Sequence, residues 1–365
     1  MRYVTLNKAE QDHRNPGSMP RRDNVAEPVV HGRPPLLIVR YAFIVSVALG
    51  LLAAPFLAAS QPPQKVLRVG LLAAGARTSD GAPPGALREA LRELGYVEGQ
   101  NVAYEARFAE GKTERLPGLA AELVHLNVDI IVVLGGPAAE AAKQATSTIP
   151  IVIAPAAGDA VALGWIASLP RPGGNVTGLT DESVQLSAKR MQLLKEAVPK
   201  AALIAVLWNA NDQGMTLRYR EIEKAARFLQ VEVQAFGVRE PDDFTVAFST
   251  MTRRRPDAMF LVADPMTGMN RKRVIEFAAT NRIPAMYEFD FYVRDGGLMS
   301  YGPSFGDSFR RAALYIDRIF KGAKPADLPA EQPTRYYLTV NHTTAAALGL
   351  TLPPSLVVRT DEVVQ

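Results

Sequence analysis

The 365-residue chain contains no cysteine. That excludes a disulfide framework, a thiolate metal site and a catalytic thiol, and with them any lipid anchor built on a processed N-terminal cysteine. Histidine is almost as scarce: of four in the chain, only His125 and His342 lie beyond residue 60. Two isolated imidazoles do not make a metal centre, and His125 falls at the polar end of a predicted helix, where it reads as surface. Neither a P-loop nor a G-x-G-x-x-G turn follows an apolar run, so no nucleotide cofactor is expected. Ser-His-Asp hydrolysis needs a base, and neither of these two histidines is flanked by a G-x-S-x-G elbow. Glu288 and Asp290 flank Phe289 and would share a strand face, but carboxylates two apart are too common to indicate glycosidase chemistry. No catalytic residue, metal or cofactor is assigned, and the chain is read as a non-enzyme.

A surplus of one charge sign is also lacking over most of the chain. The formal net charge is +4, yet residues 1–60 hold seven Lys/Arg against four acids, which leaves the remainder with 34 basic and 33 acidic residues. The basic cluster Arg253-Arg254-Arg255 has no interleaved aromatics and reads as a solvated turn before a strand, so nucleic acid is not an expected partner.

The one long hydrophobic run is Tyr41 to Ala59. Arg33 and Arg40 precede it, and Ala58-Ala59-Ser60 followed by Gln61 gives the small-residue pattern of a cleavage site. This is the layout of a secretory signal peptide cut before Gln61, with residues 1–32 an unusually long polar extension. The competing reading is an uncleaved membrane anchor; Gly50, Pro55 and the cleavable end argue against it. Export to the periplasm is expected, with membrane contact only through a permease or an uncleaved leader.

What remains is 48% hydrophobic overall, enough for one large or two medium α/β cores. Four segments carry an amphipathic helical stripe: Leu87/Ala90/Leu91/Leu94, Leu116/Leu119/Ala120/Leu123, Ile222/Ala225/Ala226/Leu229 and Phe309/Ala312/Ala313/Ile316. Between them lie continuous apolar runs at Val69–Leu72, Ile130–Leu134, Ile151–Ile153, Leu203–Trp208 and Met259–Val262. Such runs are strands covered by helices on both faces, so the fold class is α/β with doubly wound parallel sheets. Pro/Gly punctuation at Pro170–Gly178, at Gly296–Gly302 and at Pro325–Pro333 suggests three crossings between two lobes. The expected division is a leader at 1–60, lobe 1 from 61–178 and 298–333, and lobe 2 from 179–297 and 334–365; ordinary loops in one large sheet are the alternative.

In open α/β sheets, ligands sit beyond the carboxyl ends of the strands. The residues there are Gly135-Gly136-Pro137-Ala138, Ala154 to Asp159, Asn209-Ala210-Asn211-Asp212 and Ala263-Asp264-Pro265-Met266. The glycine elbow before Pro137 offers free backbone N–H groups to an anion, while each Asp or Asn serves equally as a helix cap. Asp159, Asp264 and Glu288 are candidates to meet a ligand ammonium, and Tyr287, Phe289 and Tyr301 to supply aromatic surface.

From about Val69 to the C-terminus the chain resembles the ABC transporter substrate-binding family that includes tryptophan- and phenylalanine-binding receptors of the TrpX type. The resemblance is carried by Leu94–Asn101, Ala145–Ile151, Arg171-Pro-Gly-Gly-Asn-Val-Thr-Gly178, Gly297–Gly302, Lys321–Asp327 and Ala347–Ser355. It implies a type I periplasmic-binding fold, with two Rossmann-like lobes joined by three hinge strands that close on ligand. It also implies an ABC importer permease as partner and a small-molecule ligand: an amino acid, an aromatic or another small organic solute. By position it places Gly136, Pro137, Asp159, Thr180, Asn209, Asp264, Tyr287, Glu288 and Tyr301 in the ligand wall. Where aromatic amino-acid binders tend to carry hydroxyl residues, this chain has Gly135-Gly136 and Ala156-Ala157-Gly158, so the ligand class stays open. The alternative function is a ligand-sensing module for a membrane signalling partner.

Overall fold

Continuous apolar runs satisfy both faces of a strand only in the middle of a sheet, and that is where they lie. A computed structural model describes residues 65–365 apart from 82, 155–157 and 181–182; the leader expected at 1–60 and its cleavage site lie outside the described residues. The first sheet is built from β1 (Leu67–Ala73), β2 (Val102–Phe108), β3 (Ile130–Leu134), β4 (Ile151–Ile153) and β5 (Val176–Gly178) in the order β2-β1-β3-β4-β5. All of its pairs are parallel. The second sheet takes β6 (Leu203–Asn209), β7 (Glu232–Val238), β8 (Ala258–Leu261), β9 (Ala285–Tyr287), β10 (Met299–Gly302), β11 (Tyr337–Asn341) and β12 (Glu362–Val364) in the order β12-β11-β10-β9-β8-β6-β7. Its one antiparallel pair is β10 with β11.

Helices cover both faces of each sheet. On the first, α1 (Gly85–Glu93) and the long α10 (Phe305–Phe320) share one face, where Leu87 and Leu91 pack with Phe309 and Ile316. The other face carries α2 (Leu116–His125) and α3 (Gly136–Ala145). On the second sheet, α4 (Ser183–Ala197), α5 (Gln213–Phe228), α11 (His342–Ala347) and α12 (Pro354–Val357) lie on one face. Opposite them are α6 (Asp243–Arg253), α7 (Pro265–Met269), α8 (Arg271–Thr280) and α9 (Asp290–Arg294). Strand β6 shows the period of two that this requires: Ile204, Val206 and Trp208 enter one core, Ala205 and Leu207 the other.

Both sheets reverse direction of winding next to their first strand. In one sheet β2 and β3 flank β1; in the other β7 and β8 flank β6. Each reversal opens a crevice at the carboxyl ends of the strands, after Ala73 and Leu134 on one side and after Asn209 and Leu261 on the other.

The chain passes between the sheets three times: after Gly178, after Gly302 and between Glu331 and Tyr337. The first and third passages run side by side, with the N–H of Glu331 donating to the Gly178 carbonyl at 2.9 Å and that of Thr180 to the Glu331 carbonyl at 3.0 Å. The second comes later than the boundary expected before Leu298. Met299–Gly302 pair with β9 and β11, so these residues belong to the second sheet and the chain leaves at Pro303. At that exit the backbones nearly touch: a Cβ on Gly302 would lie 1.9 Å from the Glu288 carbonyl oxygen. Gly302→Ala therefore forces two backbone segments apart and should cost at least about 3 kcal/mol, read as a lower urea midpoint with unchanged m-value.

Candidate functional site

Asp264 lies three residues past the end of β8, at the second sheet's reversal. Its backbone is extended and its side chain caps α7: Oδ1 accepts from the Thr267 N–H at 2.7 Å, while the Asp264 N–H donates to Thr267 Oγ1 at 2.8 Å. Its Oδ2 accepts from Asn209 Nδ2 at 2.6 Å, from the end of β6. Asn209 is held in turn, its Oδ1 accepting from the Asn211 N–H at 2.9 Å. The carboxylate is buried among these partners. Burial pushes its pKa above the ordinary carboxylate range, against the lowering effect of the Asn209 and Thr267 hydrogen bonds.

Two cavities meet at this residue, both between the sheets. The larger, about 260 Å³, takes walls from Ala73, Gly75, Phe108 and Leu134 on one side and from Asp264, Pro265, Phe291, Tyr292 and Phe305 on the other. Its rings pack on one another: Phe289 and Phe305 edge to face at 4.7 Å, Phe291 and Tyr292 stacked at 4.5 Å. Burial pushes the Tyr292 hydroxyl well above its ordinary range, so it stays protonated. Arg271 closes the rim, its guanidinium 5.9 Å from the Phe291 centroid and paired with Asp295 at 2.6 Å. The smaller cavity, about 160 Å³, is polar: Asn209, Asn211, Asp212 and Arg239 face Thr113 and Pro137. Asp264 and Pro265 border both.

Of the nine residues expected in the ligand wall, Pro137, Asn209 and Asp264 line these cavities. Gly136 opens α3 beside them. Asp159 accepts from the Val161 and Ala162 N–H groups and serves as a local cap. Thr180 is spent on the first passage, its Oγ1 accepting from Ala160 N–H at 3.0 Å. Tyr287 is fully buried, stacked on Tyr292 at 5.1 Å, and half-buried Tyr301, in β10, packs against the second sheet's core near Tyr336. Glu288 is the largest departure. Its Oε1 meets Arg190 Nη1 at 2.9 Å and its Oε2 meets Arg218 Nη1 at 2.6 Å, with none of the three side chains more than 2% exposed. The carboxylate expected to face a ligand faces two guanidinium groups instead, because a charge shut away from water must be paired.

The triad holds the site from behind. Arg190 Nε donates to the Tyr301 carbonyl at 2.6 Å, next to the second passage. The Ala263 N–H donates to Glu288 Oε2 at 3.3 Å, one residue before Asp264. Sequence reasoning missed both arginines, although Arg218 occupies a stripe position between Met215 and Ile222 where a charge signals a buried partner. It also missed Phe291, Tyr292 and Phe305, of which the first two stand in a dense aromatic segment after β9.

Two α/β lobes linked by three passages, with cavities where the reversals of both sheets face one another, define a two-lobed small-molecule receptor of the type I periplasmic-binding fold. The chain belongs to the ABC transporter substrate binding protein family, whose sequence model matches residues 80–364. It is 26% identical over 263 residues to a tyrosine-binding protein of Clostridioides difficile, covering 72% of this chain and 75% of that protein. Among solved structures it is similar to a conserved domain protein from Vibrio cholerae, with a TM-score of 0.76 at 25% identity, covering 82% of this chain and all of that one. An ABC domain from Streptococcus pneumoniae in complex with L-Trp superposes with a TM-score of 0.75 at 24% identity over the same shares. As a member of the family the chain is an extracytoplasmic solute-binding protein that captures a small molecule for an ABC importer.

Two outcomes follow from the buried groups. Glu288→Ala leaves two guanidinium groups without their carboxylate and should cost about 3–5 kcal/mol in urea unfolding. Asp264 works in the opposite sense. Its folded pKa lies above the unfolded value of about 3.9, so the folded state holds the proton more tightly and the contribution to stability is lost as pH rises through that window. Asp264→Asn keeps a capping side chain without the charge, so its melting temperature relative to the parent should climb as pH is raised from below 4 towards neutrality.

Proposed function

We propose that the solute is a small aromatic molecule with one hydrogen-bond-donating head group, that its ring enters the 260 Å³ chamber and that its head reaches Asp264. The observation that carries this reading is the pairing of a ring-lined cavity with a single buried carboxylate at its polar border. A donor brought to Asp264 favours the ionised form that burial disfavours, so such a contact offsets the cost of burying the charge. Tyrosine is the first solute to test, because the Clostridioides difficile relative is a tyrosine-binding protein. The bare backbone at Gly135 allows other aromatic solutes equally.

In this reading Asp264 acts at the ligand and Asn209 orients its carboxylate, whereas Pro137 lines the neighbouring polar chamber and Glu288, Tyr287, Thr180 and Asp159 support the walls. The chain binds and releases its solute unchanged, and is not an enzyme. It works in the periplasm after removal of the apolar leader before Gln61, and the ligand-closed form docks on an importer permease. Closure is driven by the higher affinity of the closed state for ligand.

A thermal-shift screen over aromatic amino acids, aromatic acids, purines and sugars tests this. A ligand present at a hundred times its Kd adds about 2.7 kcal/mol. Asp264→Asn should abolish the shift from the responding solute while the variant remains folded; an undiminished shift would reject Asp264 as the contact.

A further inference from the structure

Pro265 and Met269, the first and last residues of α7, reach across the cleft and meet the opposite lobe where it carries no side chain. A Cβ on Gly135 would stand 3.0 Å from Pro265 Cγ, and one on Gly75 would stand 3.7 Å from Pro265 Cβ. A Cβ on Gly111 would stand 2.9 Å from Met269 Cε. Two of the three sockets are also glycine-favouring by conformation, with φ of 92° at Gly135 and 80° at Gly111. Pro265 borders both cavities, so the contact with Gly135 is the partition between them.

We propose that Pro265 and Met269 determine specificity, an inference that rests on the ligand-capture reading above. Seated in the glycine sockets, they cut the cleft in two and confine the solute to the apolar chamber. A cavity of roughly 150 Å³ is enough for benzene, so about 260 Å³ accommodates one ring with a short polar arm. A dipeptide, nucleoside or disaccharide would need both chambers and is refused. The polar chamber, with Asn211, Asp212 and Arg239 against Thr113, then holds solvent in the closed form. Pocket contacts of this size change discrimination on the order of 10–200-fold.

The test has two arms on the full chain. The first needs no ligand: small-angle scattering of the parent, of Gly75→Trp and of Gly75→Trp/Pro265→Gly, with thermal melts confirming that each is folded. Gly75 faces the rigid Pro265 ring, so an indole there should hold the lobes apart and raise the radius of gyration, and removing the facing ring should bring it back towards the parent value. An unchanged radius in Gly75→Trp, or no fall in the double variant, overturns the sockets. The second arm compares L-tyrosine with the dipeptide Ala-Tyr on the parent and on Pro265→Gly. The parent should respond to tyrosine alone, and Pro265→Gly should gain at least tenfold in affinity for the dipeptide. A parent that binds the dipeptide as tightly as tyrosine overturns the size limit. If the parent answers to no single-ring solute while the scattering pattern holds, the ligand reading and the size limit fall and the sockets stand.

Discussion

Glu288 is closed off from water between Arg190 and Arg218, and the shape of the cleft follows from how that carboxylate is satisfied. Removing one partner of a buried pair is far costlier than the pair is stabilising, so α4, α5 and the segment after β9 are obliged to keep their relative positions. The same groups hold backbone on either side: Tyr301 beside the second passage through Arg190, and Ala263 through Glu288 itself. Asp264 follows Ala263, so the residue proposed to meet the ligand and the strand that leaves for the other lobe are fixed by one cluster of charge.

That arrangement reconciles a rigid wall with a moving one. Within each lobe the strands are parallel, helix-covered and tightly packed, and packed cores do not deform continuously. Between the lobes the chain connection among the described residues is three short backbone passages, with glycine at the edge of the second. Motion is therefore confined to the passages, and the cleft changes width while Asp264, Asn209 and the ring cluster keep their geometry. A ligand touching both lobes has the differential affinity that shifts such an equilibrium; one touching a single lobe does not.

The parts of the fold that were legible in the sequence are those where one physical signal dominates. Buried central strands such as Ile130–Leu134 and Leu203–Trp208 read as apolar runs, and α1, α2, α5 and α10 as stripes. Edge strands did not: β2, Val-Ala-Tyr-Glu-Ala-Arg-Phe, and β7, Glu-Val-Gln-Ala-Phe-Gly-Val, are half-exposed and mix charge with apolar residues. The second passage was placed a few residues early because Gly296-Gly297 looks like the stronger break, whereas the chain runs on through β10 before leaving. In the site, the rule that ligands lie beyond strand ends pointed to Asn209 and Asp264, which line cavities between the sheets. It misdirected Glu288, because proximity to a strand end does not tell which way a side chain turns. The answer lay in two arginines far away in sequence, and only packing brings them there.

The most direct measurement is a crystal structure of the protein with the solute that stabilises it most. The account predicts one aromatic ring against Phe291 and Phe305, a donor atom within hydrogen-bond distance of Asp264, and Glu288 still held by Arg190 and Arg218. A solute lodged in the polar chamber alone, or one that leaves Asp264 untouched, would contradict it.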